Sequence, residues 1–373
     1  MKFFEKLLLR TILPSVKPHL DPLQFAYREK RGTEDAVACL LHLVLQHLDS
    51  SGNFAKILFV DFSSAFNTIQ RHLLIQKLHH LNTPPILIHL LHNFLSDRRQ
   101  AVRVGTTTSP TLTSNTGAPQ GCVLSPFLYT LYSNACTSPS HTTTFLKYSD
   151  DTAILALLSD NNSVSDYHNT VTHFSQWCTH NFLHLNVAKT KEIAIGNPSP
   201  QPPTIINNDT VETVDSFKYL GLTLDNKLTF DQHTTDIQKR SHQRLYAIRK
   251  LKELYVAPHL LLLLYQSIVQ PILLYCSTCF FNMLTVKNRV KLTRVTNIAA
   301  KLIGLPTPTL SELNIKAISR IASTIALDNT HPLNCHFTVM PSGRRYRSLL
   351  CRRARYGKSL VPAAITALNK RPG

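Results

Sequence analysis

Residues 142–158 read Thr142-Thr-Thr-Phe-Leu-Lys-Tyr148, Ser149-Asp150-Asp151 and Thr152-Ala-Ile-Leu-Ala-Leu-Leu158, and this stretch decides the fold. Two short hydrophobic segments flank a polar triplet, which is typical of two strands joined by a turn. The sequence therefore predicts a β-hairpin that carries two adjacent carboxylates at its tip.

A third carboxylate, Asp61, follows another hydrophobic segment. Lys56-Ile-Leu-Phe-Val60 is short and unalternating, as in a strand buried on both faces. If this strand and the hairpin are neighbours in one sheet, Asp61, Asp150 and Asp151 meet at one edge of it. Such a cluster repels itself and is costly to bury unless cations neutralise it. Hard oxygen ligands prefer Mg²⁺ or Mn²⁺, and two such ions about 3.5–4 Å apart can activate an attacking hydroxyl and stabilise a leaving pyrophosphate.

Each of these carboxylates also has an ordinary structural interpretation. Ser-Asp-Asp-Thr is a common turn sequence, and a single Asp after a strand often forms a cap or an Asx-turn. The metal-site hypothesis therefore depends on the further motifs that accompany the carboxylates.

The composition favours a polyanionic partner, most simply a nucleic acid. The chain has 373 residues, which suggests two or three domains at about 100–200 residues each. Lys and Arg number 40 against 22 Asp and Glu, so the formal net charge is +18. Only 11 residues are glycine, which excludes collagen-like and Gly-rich disordered chains. After Asp328 the sequence has no carboxylate but nine cations, which are Arg344, Arg345, Arg347, Arg352, Arg353, Arg355, Lys358, Lys370 and Arg371.

The eight cysteines and the lack of a recognisable secretory leader predict an intracellular, thiol-reduced protein of the nucleus or cytoplasm. Cys276 and Cys279 form a CxxC pair without a second pair at zinc spacing, so we expect buried thiols, with metal binding as the alternative. The most apolar stretch, 260–275, contains several polar residues and is shorter than the about 18–20 apolar residues of a membrane span. We therefore expect a packed helix there and no membrane partner.

The spacing of apolar residues predicts the remaining elements. Ser63 and Ser64 are expected to cap a helix that carries Phe66 and Leu74. Residues 217–224 are predicted to form one strand with Gly221 inside it. Further predictions are helices over 33–49, 86–95, 127–135 and 166–181, a strand over 192–195, and a wholly helical region over 231–303.

Six blocks of sequence follow one another along residues 20–300. They are Leu23-Gln-Phe-Ala-Tyr-Arg-Glu-Lys-Arg-Gly-Thr-Glu-Asp-Ala36, Phe59-Val-Asp-Phe-Ser-Ser-Ala-Phe-Asn-Thr-Ile69, Gly117-Ala-Pro-Gln-Gly-Cys-Val-Leu-Ser-Pro126, Phe145-Leu-Lys-Tyr-Ser-Asp-Asp-Thr152, Leu185-Asn-Val-Ala-Lys-Thr-Lys191 and Phe217-Lys-Tyr-Leu-Gly-Leu222. In these blocks the chain resembles the reverse transcriptases of non-LTR (LINE-type) retrotransposons, whose fingers segment and motifs A to E they match in order. The stretch 359–369 also resembles the carboxyl end of some of these elements.

The resemblance implies an α+β fold, the right-hand polymerase, with fingers, a palm that contains an antiparallel sheet, and a helical thumb. The expected boundaries are partial fingers over 1–50, palm over 51–69, fingers over 70–115, palm over 116–230, thumb over 231–303 and a basic C-terminal segment over 304–373. The family's earliest fingers block has no match in the chain, so the resemblance implies a form truncated at the N-terminus.

The resemblance also implies an RNA-directed DNA polymerase. In that reaction the 3′-hydroxyl of a DNA primer attacks the α-phosphate of a dNTP under the direction of an RNA template. Asp61 and Asp150 would hold two Mg²⁺ (or Mn²⁺) ions, with help from the carbonyl of Phe62. Asp151 would complete the acidic set.

Other positions acquire nucleotide-binding roles from the resemblance. Phe66 matches the bulky residue beneath the sugar that clashes with a 2′-hydroxyl, and its ordinary interpretation is a core residue. Gln120 and Gly121 match the loop beneath the nascent base pair, and their ordinary interpretation is a Pro/Gly turn. Arg28 and Arg31 match basic fingers positions on the template or triphosphate, and their ordinary interpretation is a solvated face.

Two further roles concern the leaving group and the primer. Lys189 matches the lysine that protonates or stabilises the leaving pyrophosphate, and its ordinary interpretation is a surface lysine. The primer grip is matched by Tyr219, Leu220 and Gly221, which are otherwise a plain strand segment.

Three positions depart from the family pattern, and two other functions stay open. Asn67, Cys122 and Ser149 stand where Asp, Ser and Ala are usual, but none of them replaces a metal ligand. Incomplete fingers would leave an inactive, truncated nucleic-acid-binding remnant. A two-metal nuclease would use the same carboxylate chemistry, although Phe66 and the Pro-Gln-Gly loop favour a polymerase.

Overall fold

The computed structural model describes residues 2–196 and 201–370. Its α-helices are α1 (Lys2–Val16), α2 (Thr33–His47), α3 (Arg71–His80), α4 (Pro85–Leu95), α5 (Leu124–Tyr132), α6 (Asn161–His180), α7 (Asp231–Glu253), α8 (Pro258–Ile268), α9 (Gln270–Leu274), α10 (Ser277–Phe280), α11 (Val286–Ile303), α12 (Leu310–Ala326), α13 (Ala354–Gly357) and α14 (Leu360–Asn369). Its strands are β1 (Phe54–Val60), β2 (Arg98–Gln100), β3 (Arg103–Val104), β4 (Thr107–Thr108), β5 (Leu112–Ser114), β6 (Thr143–Tyr148), β7 (Asp151–Leu158), β8 (Lys191–Ile195), β9 (Ile205–Ile206), β10 (Asp209–Thr210), β11 (Glu212–Thr213), β12 (Ser216–Tyr219) and β13 (Leu222–Asp225). Arg371, the last cation of the basic end, lies outside the described residues.

The chain groups into two compact units. The first comprises Met1–Arg31, Ile57–Glu192 and Pro200–Thr213, and it contains the three aspartates. The second comprises Gly32–Lys56, Ile193–Ser199 and Val214–Gly373, and it contains the helices from α7 onward.

The main sheet has the strand order β11-β8-β1-β7-β6. β6 and β7 are antiparallel, with Tyr148 paired to Asp151, so the predicted hairpin is present. Every residue of β1 is buried, as its unalternating apolar sequence predicts. Because β1 lies beside β7, the strand before Asp61 and the hairpin are neighbours in one sheet. The edge strand β11 pairs in parallel with its neighbour β8, which the sequence pattern did not indicate.

The N-terminal segment covers the outer side of β6. The Phe25 N–H donates to the Lys147 carbonyl at 2.8 Å, and the Lys147 N–H donates to the Leu23 carbonyl at 2.9 Å. The Lys147 side chain, which is only 2% exposed, forms an ion pair of 2.7 Å with Asp21. Its ammonium group also donates to two backbone carbonyls, those of Ser133 and Cys136. A buried cation is thus paired and hydrogen-bonded, which is the condition under which burial of charge is tolerated.

The helix predicted directly after Asp61 is wrong. Ala65–Asn67 forms only one 3₁₀ turn, and Ser64, with a φ of 57°, is left-handed and caps no helix through its side chain. The backbone of this segment is hydrogen-bonded elsewhere, because the carbonyls of Phe66 and Ile69 accept from Ala118 and Gly117. A helix therefore begins only at Arg71, as α3.

The single strand predicted over 217–224 is also wrong. It is a hairpin of β12 and β13 in which Tyr219 pairs with Leu222, and Leu220 and Gly221 form the two-residue turn. Both turn residues have positive φ, 44° and 88°, as two-residue hairpin turns of type I′ require.

The apolar stretch 258–283 consists of α8, α9, α10 and a 3₁₀ turn rather than one packed helix. α9 begins at Gln270 with Pro271 in its first turn, where the missing N–H of proline costs nothing. By length and composition Pro258–Met283 could cross a membrane, because an 18-residue stretch of it has a mean hydropathy of 1.6. A third of that stretch is buried inside the protein. Cys276 and Cys279 are each 2% exposed, as expected of buried thiols.

Two basic helices dominate the second unit. α7 and α11 pack against each other and bury one apolar face each, while their cations remain largely exposed. The basic end is also anchored, because the Asp49 carboxylate accepts hydrogen bonds from the backbone N–H groups of Arg352 and Arg353.

Candidate active site

The three predicted carboxylates come together at one edge of the main sheet. Partial burial raises the pKa of the Asp151 carboxyl above its ordinary value, and the negative charges of Asp150 and of Asp61 raise it further. Asp61 follows β1, and Asp151 begins the neighbouring strand β7. The site therefore holds mutually repelling carboxylates, an arrangement that favours a bound cation.

Gln24 fixes the turn that carries Asp150. Its Oε1 accepts from the Ser149 N–H at 3.2 Å, and its Nε2 donates to the Ser149 carbonyl at 3.4 Å. Ser149 has a φ of 61°, a left-handed conformation that is uncommon outside glycine and asparagine. The Tyr27 hydroxyl adds a hydrogen bond to the Ser149 hydroxyl at 3.0 Å. No local sequence pattern signals this support, because Gln24 and Ser149 are 125 residues apart.

The loop that carries Lys189 is hydrogen-bonded to Asp61. The Asp61 N–H donates to the Thr190 hydroxyl at 3.2 Å, and the Asn186 N–H donates to the Asp61 carbonyl at 2.9 Å. Phe62 continues this contact as an antiparallel bridge to Leu185. The Lys189 side chain is exposed. Lys189 thus directly precedes Thr190, the residue whose hydroxyl binds the backbone N–H of Asp61.

Phe66 lies on the ring of Tyr129, a residue of α5. Their ring centroids are 4.6 Å apart and the planes are inclined by 27°, which is a stacked arrangement. Tyr129 is buried, and burial followed by the negative charge of Asp150 raises its pKa well above its ordinary value. Phe66 is only half-buried, so it is neither a full core residue nor freely exposed. Sequence reasoning missed Tyr129, whose helix reads simply as apolar.

The turn before α5 is fitted tightly against the segment that carries Phe66. A Cβ on Gly117 would lie 2.8 Å from the Cα and the carbonyl oxygen of Asn67, and the φ of Gly117 is 72°. Gln120 and Gly121 are exposed, and a Cβ on Gly121 would meet no atom within 4 Å. Gly121 is therefore needed for its φ of 76° and not for close packing within the protein.

A carboxylate on α1 caps α5. One oxygen of Glu5, which is 2% exposed, accepts from the N–H groups of Val123 and Leu124 at 2.7 and 3.2 Å. A negative charge at a helix N-terminus satisfies free N–H groups and complements the helix dipole. Glu5 thereby helps to fix the helix that carries Tyr129.

The two predicted fingers arginines are half-buried and bind backbone carbonyls. Arg28 donates to the carbonyls of Asp21 and Gln24 at 2.8 and 3.5 Å. Arg31 donates to the carbonyl of Lys30 at 3.4 Å. Arg28 therefore braces the segment that covers β6, and its predicted contact with template or triphosphate stays a prediction.

The residues of the predicted primer grip lie in the second unit, at the turn of the β12–β13 hairpin. Tyr219 is buried, while Leu220 and Gly221 are half-buried. Their predicted contact with a primer stays a prediction.

The donor set fits a metal that shares its coordination with a substrate. Within residues 2–196 and 201–370, no three His, Cys, Asp or Glu side chains are arranged to hold a metal ion by themselves. Mg²⁺ is commonly bound by one or two carboxylates together with waters and substrate phosphates instead of an all-protein cage. The oxygen donors of Asp61 and Asp150, with the raised pKa of Asp151 beside them, match that mode of binding.

Comparison with known proteins gives the family. Residues 1–224 match the family model described as reverse transcriptase (RNA-dependent DNA polymerase). A shorter segment, 230–271, matches a model described as alkylated DNA repair protein alkB homolog 8, N-terminal.

Named relatives come from mobile elements of flies. The RNA-directed DNA polymerase from mobile element jockey of Drosophila melanogaster is 28% identical over 296 residues, covering 74% of this chain and 31% of that protein. The probable RNA-directed DNA polymerase from transposon BS of the same species is 29% identical over 239 residues, covering 61% of this chain and 26% of that protein. The chain thus spans about a third of the length of the jockey polymerase.

Solved structures with some likeness are telomerases. Apo telomerase from Candida tropicalis gives a TM-score of 0.44 at 12% identity, covering 90% of this chain and 55% of that one. Telomerase from Candida albicans in complex with a TWJ fragment of telomeric RNA gives 0.41 at 11% identity, covering 85% and 50%. Both scores are too low to carry an inference.

The family match and the mobile-element relatives together confirm the predicted resemblance to non-LTR reverse transcriptases, and with it the α+β right-hand polymerase fold. The chain belongs to the reverse transcriptase (RNA-dependent DNA polymerase) family.

Proposed function

We propose that the chain is the RNA-directed DNA polymerase of a non-LTR retrotransposon and extends a primer 3′-hydroxyl with dNTPs on an RNA template. The observation that carries the proposal is that β1 lies beside β7 in the main sheet, which brings Asp61 to the hairpin turn of Asp150 and Asp151. The names of the jockey and BS polymerases agree with this activity.

The oxygens of Asp61 and Asp150 and the carbonyl of Phe62 would hold two Mg²⁺ or Mn²⁺ ions. When bound, such ions lower the pKa of an attacking hydroxyl and neutralise charge on the triphosphate and leaving group. Asp151 would add negative charge beside them and strengthen the demand for cations. Gln24 would keep the carboxylates in place, since it fixes the backbone on which Asp150 depends.

The nucleotide would lie between the aspartates and the Phe66–Tyr129 stack. The Phe66 ring would occupy the space that a ribose 2′-hydroxyl needs, and Tyr129 would hold the ring in place. The backbone of Gln120 and Gly121 would lie beneath the base pair, where the open space beside Gly121 leaves room for a ligand. Arg28 and Arg31 would contribute positive charge from the fingers.

Lys189 would act on the leaving group. Its exposed ammonium group extends from the loop that is hydrogen-bonded to Asp61. An ammonium group beside a polyphosphate donates charge-assisted hydrogen bonds and can supply a proton to the leaving pyrophosphate.

The basic helices of the second unit would bind nucleic acid through its phosphates. The cations of α7 are exposed, and they are Lys239, Arg240, Arg244, Arg249, Lys250 and Lys252. α11 carries cations and no carboxylate, and an open groove of about 550 Å³ beside it is lined by Arg289, Arg294 and Lys358 among others. Such surfaces give sequence-independent, salt-sensitive affinity for an RNA template and a DNA primer.

The proposed polymerase activity would take place inside the cell, in the nucleus or cytoplasm.

Primer extension on poly(rA)/oligo(dT) with Mg²⁺ tests the proposal. We expect the wild-type chain to extend the primer and Asp150→Asn to abolish extension. The matched control is Asp209→Asn, which removes an exposed carboxylate on β10 and should extend like wild type. Equal behaviour of wild type and Asp150→Asn would refute the proposal. Binding without extension would instead support the nucleic-acid-binding remnant, and template-independent degradation of the substrate would support a nuclease.

A further inference from the structure

The turn between β12 and β13 is held in an unfavourable conformation. Leu220 has a φ of 44° and Gly221 a φ of 88°, so a branched, apolar residue occupies the left-handed region. Tyr219 and Leu222 close the hairpin on either side of the turn. A two-strand hairpin of this length has little stability of its own, so the turn needs support from elsewhere in the unit.

Tyr275, which follows α9, supplies that support. Its hydroxyl lies 2.6 Å from the Leu220 carbonyl and donates to it. The same hydroxyl lies 2.9 Å from the Thr33 hydroxyl oxygen, so its single proton is shared between the Leu220 carbonyl and Thr33. Thr33 is the first residue of α2, so one phenol connects the turn to the start of a helix.

The Tyr275 ring also occupies the space beside Gly221. A Cβ at Gly221 would lie 2.8 Å from the Tyr275 ring and 3.1 Å from its hydroxyl oxygen. Glycine at this position is thus required twice, by its positive φ and by the approach of the ring. Tyr275 is itself 41% exposed, so its ring is not a core residue that the fold needs for burial alone.

We infer that Tyr275 is a positioning residue for the primer 3′ end and acts through the Leu220–Gly221 turn. The inference has two parts. The first, that Tyr275 sets the conformation of the turn, is independent of any activity. The second, that the turn positions the primer, rests on the proposed polymerase function, since the primer-grip role of the turn comes from the family resemblance. Tyr275 does not act on the reacting atoms; it fixes the backbone that would contact the primer.

The first arm of the test measures amide hydrogen exchange of residues 216–225 in the free protein. Tyr275→Phe keeps the ring and removes only the hydroxyl, so we expect faster exchange in this hairpin and an unchanged melting temperature. Tyr255→Phe is the matched control, because Tyr255 is 96% exposed. Unchanged exchange in Tyr275→Phe would overturn the inference whether or not the protein is a polymerase.

The second arm measures primer-extension kinetics. The loss of one hydrogen bond on the turn is expected to raise KM for the primer–template about threefold to tenfold in Tyr275→Phe, with KM for dNTP unchanged. Faster hairpin exchange with an unchanged primer KM in an active enzyme would show a purely structural tyrosine and overturn the positioning role. If the wild-type chain extends no primer and Tyr275→Phe still exchanges faster than wild type, the proposed polymerase and its primer grip are refuted, while the link between Tyr275 and the turn stands.

A double variant separates the hydroxyl from the ring. Gly221→Ala forces a Cβ against the Tyr275 ring and is expected to weaken primer binding on its own. If both residues act through the same turn, adding Tyr275→Phe should change primer KM by less than the product of the two single effects. If the effects of the two substitutions on primer KM simply multiply, the two residues do not act through the same turn.

Discussion

The side-chain amide of Gln24 binds both polar groups of the Ser149 backbone, its N–H at 3.2 Å and its carbonyl at 3.4 Å. Gln24 is 1% exposed, so water cannot replace these bonds. The conformation of the Asp-Asp turn therefore depends on a residue from the N-terminal segment.

Gln24→Leu should weaken both the fold and the activity. Leucine fills similar space but leaves the Ser149 N–H and carbonyl without this partner, at a cost of about 1–3 kcal/mol in the free energy of unfolding. We expect the rate of primer extension to fall by more than the loss of folded protein accounts for, because Asp150 follows Ser149 directly. Urea denaturation and extension rates measure the two effects. Gln100→Leu, an exposed change on β2, is the control, and equal losses in both variants would contradict the role of Gln24.

Asp21→Asn should be strongly destabilising. It leaves the Lys147 ammonium buried without its counter-ion, which costs about 3–5 kcal/mol in the free energy of unfolding. The double variant Asp21→Asn/Lys147→Met removes the buried charge and should recover most of the loss. Urea denaturation of the single and double variants checks this, and a single variant as stable as wild type would show that the ion pair contributes little.

Asp151→Asn should stabilise the protein while it impairs the enzyme. The pKa of Asp151 is raised in the folded state, so the folded state binds more protons than the unfolded state at pH values above the ordinary value of 3.8. Stability attributable to this group therefore falls as pH rises from 3.8 through the raised pKa. The asparagine removes that pH dependence, so its melting temperature should exceed that of wild type at pH 7.

Melting curves of wild type and Asp151→Asn between about pH 4 and pH 7 measure the effect. Mg²⁺ should narrow the difference, because a bound cation neutralises the same repulsion. A lower melting temperature for Asp151→Asn at pH 7 would show that Asp151 makes a favourable interaction that outweighs its repulsion from Asp61 and Asp150.

Phe66→Ala should relax sugar selection. Removal of the ring opens the space for a 2′-hydroxyl, and steric exclusion of this kind is worth about tenfold to a hundredfold in kcat/KM. Extension with dNTPs and with NTPs gives the ratio of kcat/KM for the two kinds of nucleotide, which measures sugar selection. Tyr129→Phe keeps the stacked ring and should leave the ratio unchanged, whereas an unchanged ratio in Phe66→Ala would place the sugar elsewhere.

Removing the cations of the α11 groove should weaken nucleic-acid binding at low salt. For Arg289→Ala/Arg294→Ala/Lys358→Ala we expect the slope of log affinity against log salt to fall by up to about 3, one for each lost phosphate contact. The control Lys6→Ala/Arg10→Ala/Lys17→Ala removes the same charge from α1 and the 3₁₀ turn that follows it. Equal effects of both triple variants would attribute binding to net charge and not to the groove.

The sequence predicted what depends on local pattern. Asp61 and the Asp150–Asp151 pair were expected at one sheet edge because they adjoin buried strands, and their electrostatic coupling agrees with that. The contributions of Gln24, Glu5 and Tyr275 could not be predicted, since each depends on a contact with a distant segment. Leu220 was misread as part of a strand because its apolar side chain fits a strand pattern, whereas it occupies the first position of a two-residue hairpin turn, where φ is positive. Ser63 and Ser64 were misread as caps because the segment after them bonds to Gly117 and Ala118.

The short parallel contact of residues 23–25 with β6 has a further consequence. β6 is the last strand of the main sheet, and an open strand edge is a template for pairing with other chains. Phe25 and Leu23 occupy backbone groups of Lys147 that would otherwise face outward. The segment that supports the Asp-Asp turn therefore also pairs with part of this sheet edge, so its loss would leave the backbone of Lys147 open to pairing with another chain.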